Sequence, residues 1–271
     1  MRSVLRRPAG IIGFGLVSIA FATAVIAPAL SSVSPTEGDL TLRHMGFSSA
    51  HPFGTDYLGR DQMARIVHGA RTSLGVAFLV MVLTITIAVI VGVTSGYAGG
   101  FVDAVLMRIT DVVLAFPTLI LALAVAGLLG PSLRNAVVAL VAVWWSGLAR
   151  VVRSEVLSLR TRGFVEAAIG SGGSAPAIAV RHVLPNIAPT VLVLATLDIG
   201  AVIGALAALS FLGLGNQPPA PEWGRMLFDA KPYLEQHPLE MMVPGAAIVL
   251  TVIGFTLLGD ALRDALSARA Q

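Results

Sequence analysis

Four side chains that could ligate a metal ion lie close together near the start of the chain. Two are histidines and two are aspartates: His51, Asp56, Asp61 and His68. Imidazole nitrogens and carboxylate oxygens are both common metal ligands in proteins. The stretch HPFGTDYLGRD, however, also has the aspartates and glycines of ordinary turns. We therefore favour turn formers and surface polar groups over a metal site at these positions.

A fifth candidate is an acidic residue inside a long apolar segment. Asp198 lies about a third of the way along residues 188–212. Acidic side chains within a membrane are costly and often functional. One interpretation is a proton or cation relay, as in an ion-coupled secondary transporter. The other is a carboxylate that faces the interior of a helical bundle, paired with a hydroxyl or a partner subunit. We favour the second, because the segment contains no basic residue.

The chain lacks the signatures of several enzyme and nucleotide-binding classes. It has no cysteine, which excludes disulfides and cysteine-ligated metals. Its single lysine, Lys231, stands in AKPY and not in the G-x-x-x-x-G-K-[ST] loop that cradles phosphates. Neither H-E-x-x-H nor G-x-S-x-G occurs in the sequence. We expect no catalysis by the chain itself, no cofactor and no resident metal.

Composition indicates that the elements positioning these residues are membrane helices. Of 271 residues, 56% are hydrophobic and only 12% are charged, and the mean hydropathy is +0.85. A soluble domain usually has about 25% charged residues. Continuously apolar segments, which do not alternate as barrel strands do, predict an all-α polytopic protein with six transmembrane helices. The segments are approximately 11–30, 74–96, 110–130, 134–149, 188–212 and 242–259. Pro117 is expected to kink the third.

The first apolar segment has two interpretations. Arginines precede it, and Ala27-Pro28-Ala29 resembles a small-residue cleavage site, a pattern typical of a signal peptide. Because the segment is long enough to span a bilayer, we favour a retained anchor. We predict two parts: residues 1–73 as the anchor helix with an extracytoplasmic loop, and residues 74–271 as a core of five transmembrane helices.

The arginine distribution predicts the orientation. With the N-terminus in the cytoplasm, eleven of the 18 Lys and Arg residues lie on the inner side, as the positive-inside rule favours. Both termini and a loop of about 150–187 would then be cytoplasmic. The stretch DQMARIVHGAR is expected to form a short interfacial helix outside. The aromatic residues of the second outer loop, Trp223, Phe228 and Tyr233, are expected at headgroup depth.

The cytoplasmic loop contains a polar, glycine-rich stretch, VEAAIGSGGSAPAIAVRHVLPNIAP, at residues 165–189. Its pattern predicts a short helix that ends at a glycine bend, followed by a second helical piece from Pro176. Such a helix, surrounded by glycines, would allow another protein to approach closely. An ordinary solvated loop remains an alternative on spacing alone.

This stretch resembles the EAA loop of ABC importer permeases. Their pattern is E-A-A, a glycine six residues after the glutamate, and a later I/V-L-P. The matching residues here are Glu166, Ala167, Ala168, Gly172 and Val183-Leu184-Pro185. Three further stretches, HPFGTDYLGRDQMARIVHGARTSL, SFLGLGNQPPAPEWGRML and LLGDALRDAL, resemble the C-type permease subunit of dipeptide and oligopeptide importers. Together these pieces follow in order over about residues 51–266.

The resemblance implies a type I ABC importer permease fold in the cytoplasmic membrane. Glu166, Ala167, Ala168, Gly172 and Pro185 would couple the chain to a cytoplasmic ATPase, which binds the ATP. The other implied partners are a second, homologous permease subunit and an external substrate-binding protein. Asp198 and Ser210 are candidates for the translocation pathway. The cargo implied is a di- or oligopeptide, with nickel or another small solute as the alternative.

One position departs from the family's pattern. Relatives often have an acidic residue shortly before L-S-F-L-G, where this chain has Leu206 in ALAALSFLG. The usual pathway chemistry at that position is therefore not expected here.

Overall fold

A computed structural model describes residues 7–26 and 33–267. The regular structure in these residues is helical, apart from one β-bridge between Thr55 and Asp61. The helices are α1 (Pro8–Val25), α2 (Gln62–Ala98), α3 (Gly100–Leu114), α4 (Thr118–Leu129), α5 (Leu133–Arg160), α6 (Gly163–Gly170), α7 (Ala175–Phe211), α8 (Trp223–Ala230) and α9 (Leu239–Ser267). The all-α prediction is confirmed.

Five described helices, α1, α2, α5, α7 and α9, are long and apolar enough to cross a membrane. A sixth crossing results if the pair α3 and α4, whose helices meet at an angle of 89°, forms one bent span. The bend expected at Pro117 is present, but it is sharper than a kink, because it separates two helices. Proline lacks an N–H group, and it disfavours helical geometry at the preceding Phe116, so the helix ends there.

Two helices begin earlier than their apolar segments indicate. The Asp61 carboxylate accepts the backbone N–H of Ala64 at 2.7 Å and caps α2, which therefore starts at Gln62. The stretch predicted as a separate interfacial helix is the beginning of α2, and that prediction is wrong. Likewise α7 begins at Ala175, in the loop predicted to be cytoplasmic, and runs on through the predicted fifth span.

Glycines let the long helices approach closely. A Cβ added to Gly92 would lie 2.7 Å from the carbonyl oxygen of Ala149, and one added to Gly96 would lie 2.7 Å from Val156. These glycines, one turn apart, form the contact between α2 and α5, as small residues do in membrane helix pairs.

The first helix packs against the last. A Cβ on Gly13 of α1 would lie 2.9 Å from the carbonyl oxygen of Gly254 in α9. The Ala27-Pro28-Ala29 stretch lies outside the described residues, as do the first six and last four residues of the chain. The assignment of residues 1–73 and 74–271 to two parts stays a prediction.

A buried ion-pair cluster holds together the two loops that are predicted to be extracytoplasmic. It comprises Asp56, Arg60, Arg65, Arg225 and Asp229, which come from the loop before α2, from α2 and from α8. Arg60 Nε donates to Asp56 Oδ2 at 2.7 Å, and Arg225 Nε donates to Asp229 Oδ1 at 2.9 Å. The cluster thus joins parts of the chain that lie about 170 residues apart in sequence.

Trp223 also belongs to this outer assembly. Its side chain is 2% exposed, and its indole N–H donates to the carbonyl oxygen of Ile66 at 3.0 Å. The ring lies against Gly69 of α2, where an added Cβ would come within 3.1 Å of it. Trp223 therefore does not face lipid, because its indole joins α8 to α2 inside the protein, and its expected headgroup depth stays a prediction.

Candidate functional site

The EAA residues lie on a separate short helix. Helix α6 follows α5 after a turn at Thr161 and Arg162, and it has eight residues. Val165 is fully buried, whereas Glu166 and Ala167 are exposed and Ala168 is half-buried. Two apolar side chains of the same helix, Phe164 and Ile169, are 44% and 49% exposed. Because Val165 is the one buried side chain of α6, most of the rest of the helix surface is exposed, and it carries small, acidic and apolar groups.

Gly172 ends this helix. The N–H of Gly172 donates to the carbonyl oxygen of Ile169 at 3.0 Å, and the N–H of Gly173 donates to that of Ala168 at 3.1 Å. This pair of bonds is the Schellman arrangement, which needs a left-handed residue just after the helix. Gly172 has φ +78°, a conformation that glycine adopts without a steric penalty. An added Cβ would meet no atom within 4 Å, so backbone conformation rather than crowding requires glycine here.

Helix α7 returns the chain to the membrane through an irregular first quarter. Residues Ala179–Val183 form a π-helical segment, and Pro185 stands exposed in the next turn. Val183 and Ile187 are buried against α2 and α5, in the same apolar cluster as Val152 and Val156. The apolar contacts fix the inner end of α7 to the core directly beside the EAA residues.

Arginines tie the base of this region to neighbouring helices. Arg153 of α5 makes a bidentate pair with Asp103 of α3, at 2.6 and 2.5 Å. Arg160 Nη1 donates to the carbonyl oxygen of Gly96 at 2.8 Å, at the end of α2. The sequence favours a solvated surface position for Arg153. Its pairing with Asp103 spans 50 residues, and no local sequence pattern predicts it.

Asp198 lines a cleft rather than a sealed core. The cleft has a volume of about 360 Å³, and its walls include Leu114 and Thr118 at the break between α3 and α4, and Trp144 and Ser146 of α5. Asp198 is half-buried, and no described residue forms a hydrogen bond or ion pair with its carboxylate. The sequence alternative in which a hydroxyl of this chain pairs with Asp198 is therefore wrong for the described residues.

Ser210 does not lie with Asp198. It is fully buried near the end of α7, where an added Cβ on Gly215 would collide with its hydroxyl. Leu206, in place of the acidic residue of relatives, is 1% exposed and packs in the apolar core. Neither residue contributes to the walls of the Asp198 cleft.

Glu222 is a buried acid that sequence reasoning missed. Its carboxylate caps α8 by accepting the N–H groups of Gly224 and Arg225, both at 2.9 Å, and it accepts the hydroxyl of Ser73 at 3.1 Å. Burial raises the pKa of Glu222, and the neighbouring hydroxyl and N–H groups oppose that shift. A Glu directly before a short amphipathic run, at a helix start, was the available signal.

The four residues considered first as metal ligands do not converge. His51 Nδ1 lies 2.8 Å from Asp61 Oδ2, while the other oxygen of Asp61 caps α2. Asp56 pairs with arginines of the buried cluster, and His68 lies on α2. The favoured interpretation of these residues as surface groups does not fit the two aspartates, because Asp56 and Asp61 are 5% and 6% exposed. Asp61 caps the start of α2.

Comparisons with known proteins agree with this architecture. Residues 85–271 match the family model described as "Binding-protein-dependent transport system inner membrane component". The chain is 42% identical to the dipeptide transport system permease protein DppC of Alkalihalophilus pseudofirmus, over 96% of this chain and 85% of that protein. It is 42% identical to the nickel transport system permease protein NikC of Escherichia coli K12, over 85% and 83%. A probable D,D-dipeptide transport system permease protein, DdpC of E. coli K12, is 39% identical over 91% and 83%.

A solved structure shows the same fold. The inward-facing MetNI methionine ABC transporter matches with a TM-score of 0.60 and 20% identity, over 74% of this chain and 96% of the matched chain. The fold is that of a type I ABC importer permease. The chain accordingly belongs to the family of binding-protein-dependent transport inner membrane components, the multi-pass permease subunits of ABC importers.

Proposed function

We propose that this permease moves di- or oligopeptides into the cell, and that helix α6 couples it to a cytoplasmic ATPase. The substrate proposal is supported by two relatives whose names specify dipeptides. The coupling proposal is supported by one observation above all: α6 exposes Glu166 and Ala167 while Val165 anchors it to the core.

The chemistry of the exposed side of α6 suits a protein groove. Ala167 is small enough to enter one, and Glu166 can pair with a cation of the ATPase. Phe164 and Ile169 add apolar area that water would otherwise cover. Gly172 and Gly173 end the helix tightly, and Pro185 marks the turn at which α7 becomes regular. ATP is bound and hydrolysed by the partner, not by this chain.

The full importer contains further partners in this proposal. A second permease subunit completes the translocation pathway, with Asp198 in its wall. An external binding protein delivers the substrate to the outer loops, and both termini and α6 face the cytoplasm. Because the chain belongs to an ATP-driven family, we do not retain the ion-coupled transporter as a proposal.

Nickel is the second candidate substrate, because NikC matches as closely in identity as DppC does. Uptake by proteoliposomes that contain both permeases and the ATPases distinguishes the two, with the binding protein added outside. We expect ATP-dependent uptake of labelled dipeptides. Uptake of nickel alone would replace the peptide proposal, and uptake driven by an ion gradient without ATP would refute both.

A further inference from the structure

Three potential metal ligands meet at the outer end of the molecule, away from the cleft and α6. His44 belongs to the loop before α2, His237 precedes α9, and Glu240 lies in the first turn of α9. One ligand atom of each lies within 4.8 Å of the others. These residues come from parts of the chain nearly 200 positions apart.

Glu240 has a buried oxygen whose hydrogen-bonding capacity is unused. The residue is 4% exposed, and its Oε1 lies 2.5 Å from Nδ1 of His44. Its Oε2 has no hydrogen-bond partner among the described residues. Buried carboxylate oxygens are normally satisfied, so an orphaned one next to two imidazoles has the capacity to accept a cation.

The site also has room for an ion. His44, His237 and Glu240 line a cavity of about 150 Å³, which extends toward Met45 and Phe53. His44 has φ +55°, an uncommon conformation for a residue with a side chain. Strained conformations of this kind occur where surrounding structure fixes a residue for a purpose, and here the backbone brings the imidazole to Glu240.

We propose that His44, His237 and Glu240 bind one divalent transition-metal ion of the Zn²⁺ or Ni²⁺ type at the outer face. Two imidazoles and a carboxylate suit ions of intermediate softness, and they do not suit Mg²⁺ or Ca²⁺, which prefer oxygen ligands. The bound ion links the first outer loop to the start of α9. The inference does not depend on which substrate the importer carries.

Ion binding requires a rearrangement of the two rings. The imidazoles of His44 and His237 are stacked, with 7° between their planes and 4.1 Å between their centroids. An imidazole lone pair lies in the ring plane, so two parallel rings cannot both point at one ion. At least one ring must turn out of the stack, and the adjoining cavity provides the space.

The test uses the full-length chain in its assembled complex, purified with a tag that contains no histidine. Zn²⁺ and Ni²⁺ are added separately, and bound metal is counted by mass spectrometry after dialysis. We expect one ion per chain and a rise in melting temperature. His44→Ala, His237→Gln and Glu240→Gln should each weaken binding by about tenfold or more. X-ray absorption of the bound ion should show two imidazole nitrogens.

His182→Ala is the matched control, because it removes a histidine from the cytoplasmic side. This variant should bind the ion as the unaltered chain does. Absence of Zn²⁺ and Ni²⁺ binding by the unaltered complex, at concentrations on the order of 100 µM, would overturn the proposal even if a variant failed to fold. Equal binding by all three ligand variants would overturn it as well.

Discussion

Single residues at the two ends of the molecule have different tasks. At the end predicted to be cytoplasmic, Gly172 provides a backbone conformation that lets α6 end abruptly. At the opposite end, Glu222 satisfies the first N–H groups of α8 from a fully buried position. Gly172 ends α6 and Glu222 caps the start of α8. The role of each residue can be tested by a single substitution.

Gly172→Val should reduce coupling without preventing insertion. A β-branched residue at φ +78° costs about 1–2 kcal/mol, although no neighbouring atom would be displaced. Gly172→Asn should retain most activity, since asparagine tolerates this conformation. Gly170→Ala, a helical position with open space, is the control. Substrate uptake and stimulated ATP hydrolysis are measured; wild-type values for Gly172→Val would contradict the role of the bend.

Glu222→Gln should change how stability depends on pH. Because burial raises the pKa of folded Glu222, the folded state keeps this proton to a higher pH than the unfolded chain does. The contribution of this proton to the free energy of unfolding is fully present below about pH 4.3, the pKa of Glu in the unfolded chain. It is lost as the pH rises through the higher pKa of Glu222 in the folded state.

Thermal unfolding at several pH values measures this contribution. The stability of the unaltered chain, relative to Glu222→Gln, should fall with increasing pH in that window. Glu235→Gln, which alters an exposed glutamate of the same outer loop, is the control and should leave the pH profile unchanged. If the stability of the unaltered chain relative to Glu222→Gln instead rose with pH, burial would not dominate the pKa of Glu222.

At the scale of elements, the broken crossing is fastened to its neighbour by ion pairs of unequal burial. Helix α3 pairs with α5 through Asp103 and Arg153, whose side chains are 19% and 28% exposed. The same two helices also pair through Asp111 and Arg150, each 52% exposed. The two pairs offer an internal comparison of a partly buried contact with an exposed one.

A double-mutant cycle on each pair should give different coupling energies for the two pairs. Changing Asp103 to Asn and Arg153 to Gln, singly and together, should give a coupling energy of about 1.5 kcal/mol, because the pair is bidentate and partly shielded from water. The equivalent cycle on Asp111 and Arg150 should give less than about 0.5 kcal/mol. Unfolding of the purified chain in graded denaturant provides the energies. Equal couplings would show that burial does not distinguish the pairs.

The sequence predicted elements whose signals are local. Apolar length indicated the membrane crossings, and the E-A-A spacing with Gly172 indicated a short helix that ends at a bend. It did not predict that Phe116 and Pro117 separate two helices at 89°, since proline is often only a kink in membrane helices. Contacts over long sequence separations, such as Trp223 with Ile66, were also missed because no local pattern encodes them.

In the whole molecule, most of the polar and charged groups described above lie at the two opposite ends of a bundle of membrane helices. The loops predicted to be extracytoplasmic meet in the buried ion-pair cluster, and α6 with the first turns of α7 lies at the other end. The helices that cross between them pack through glycines and small apolar residues. The predicted orientation places α6 inside the cell, where an ATPase can reach it.

Labelling with a membrane-impermeant maleimide should verify this orientation. The chain contains no cysteine, so the labelling of a single introduced cysteine reports the side of the membrane on which that residue lies, with no background from native thiols. Ser49→Cys lies in the exposed outer loop, and Ser171→Cys lies at the exposed end of α6. The first should react in intact spheroplasts and the second only after permeabilisation. The reverse pattern would place α6 outside and would exclude its role in coupling.

The right-angled joint between α3 and α4 has a geometric consequence for the cleft that contains Asp198. Leu114 and Thr118, on either side of the joint, are also wall residues of the cleft that contains Asp198. Helix α4 is about 18 Å long, so each 5° or so of flexing moves its far tip by roughly 1.5 Å. If the joint flexes, the cleft would widen or narrow at one corner of the backbone, while the ion-pair cluster, which involves neither α3 nor α4, would stay intact.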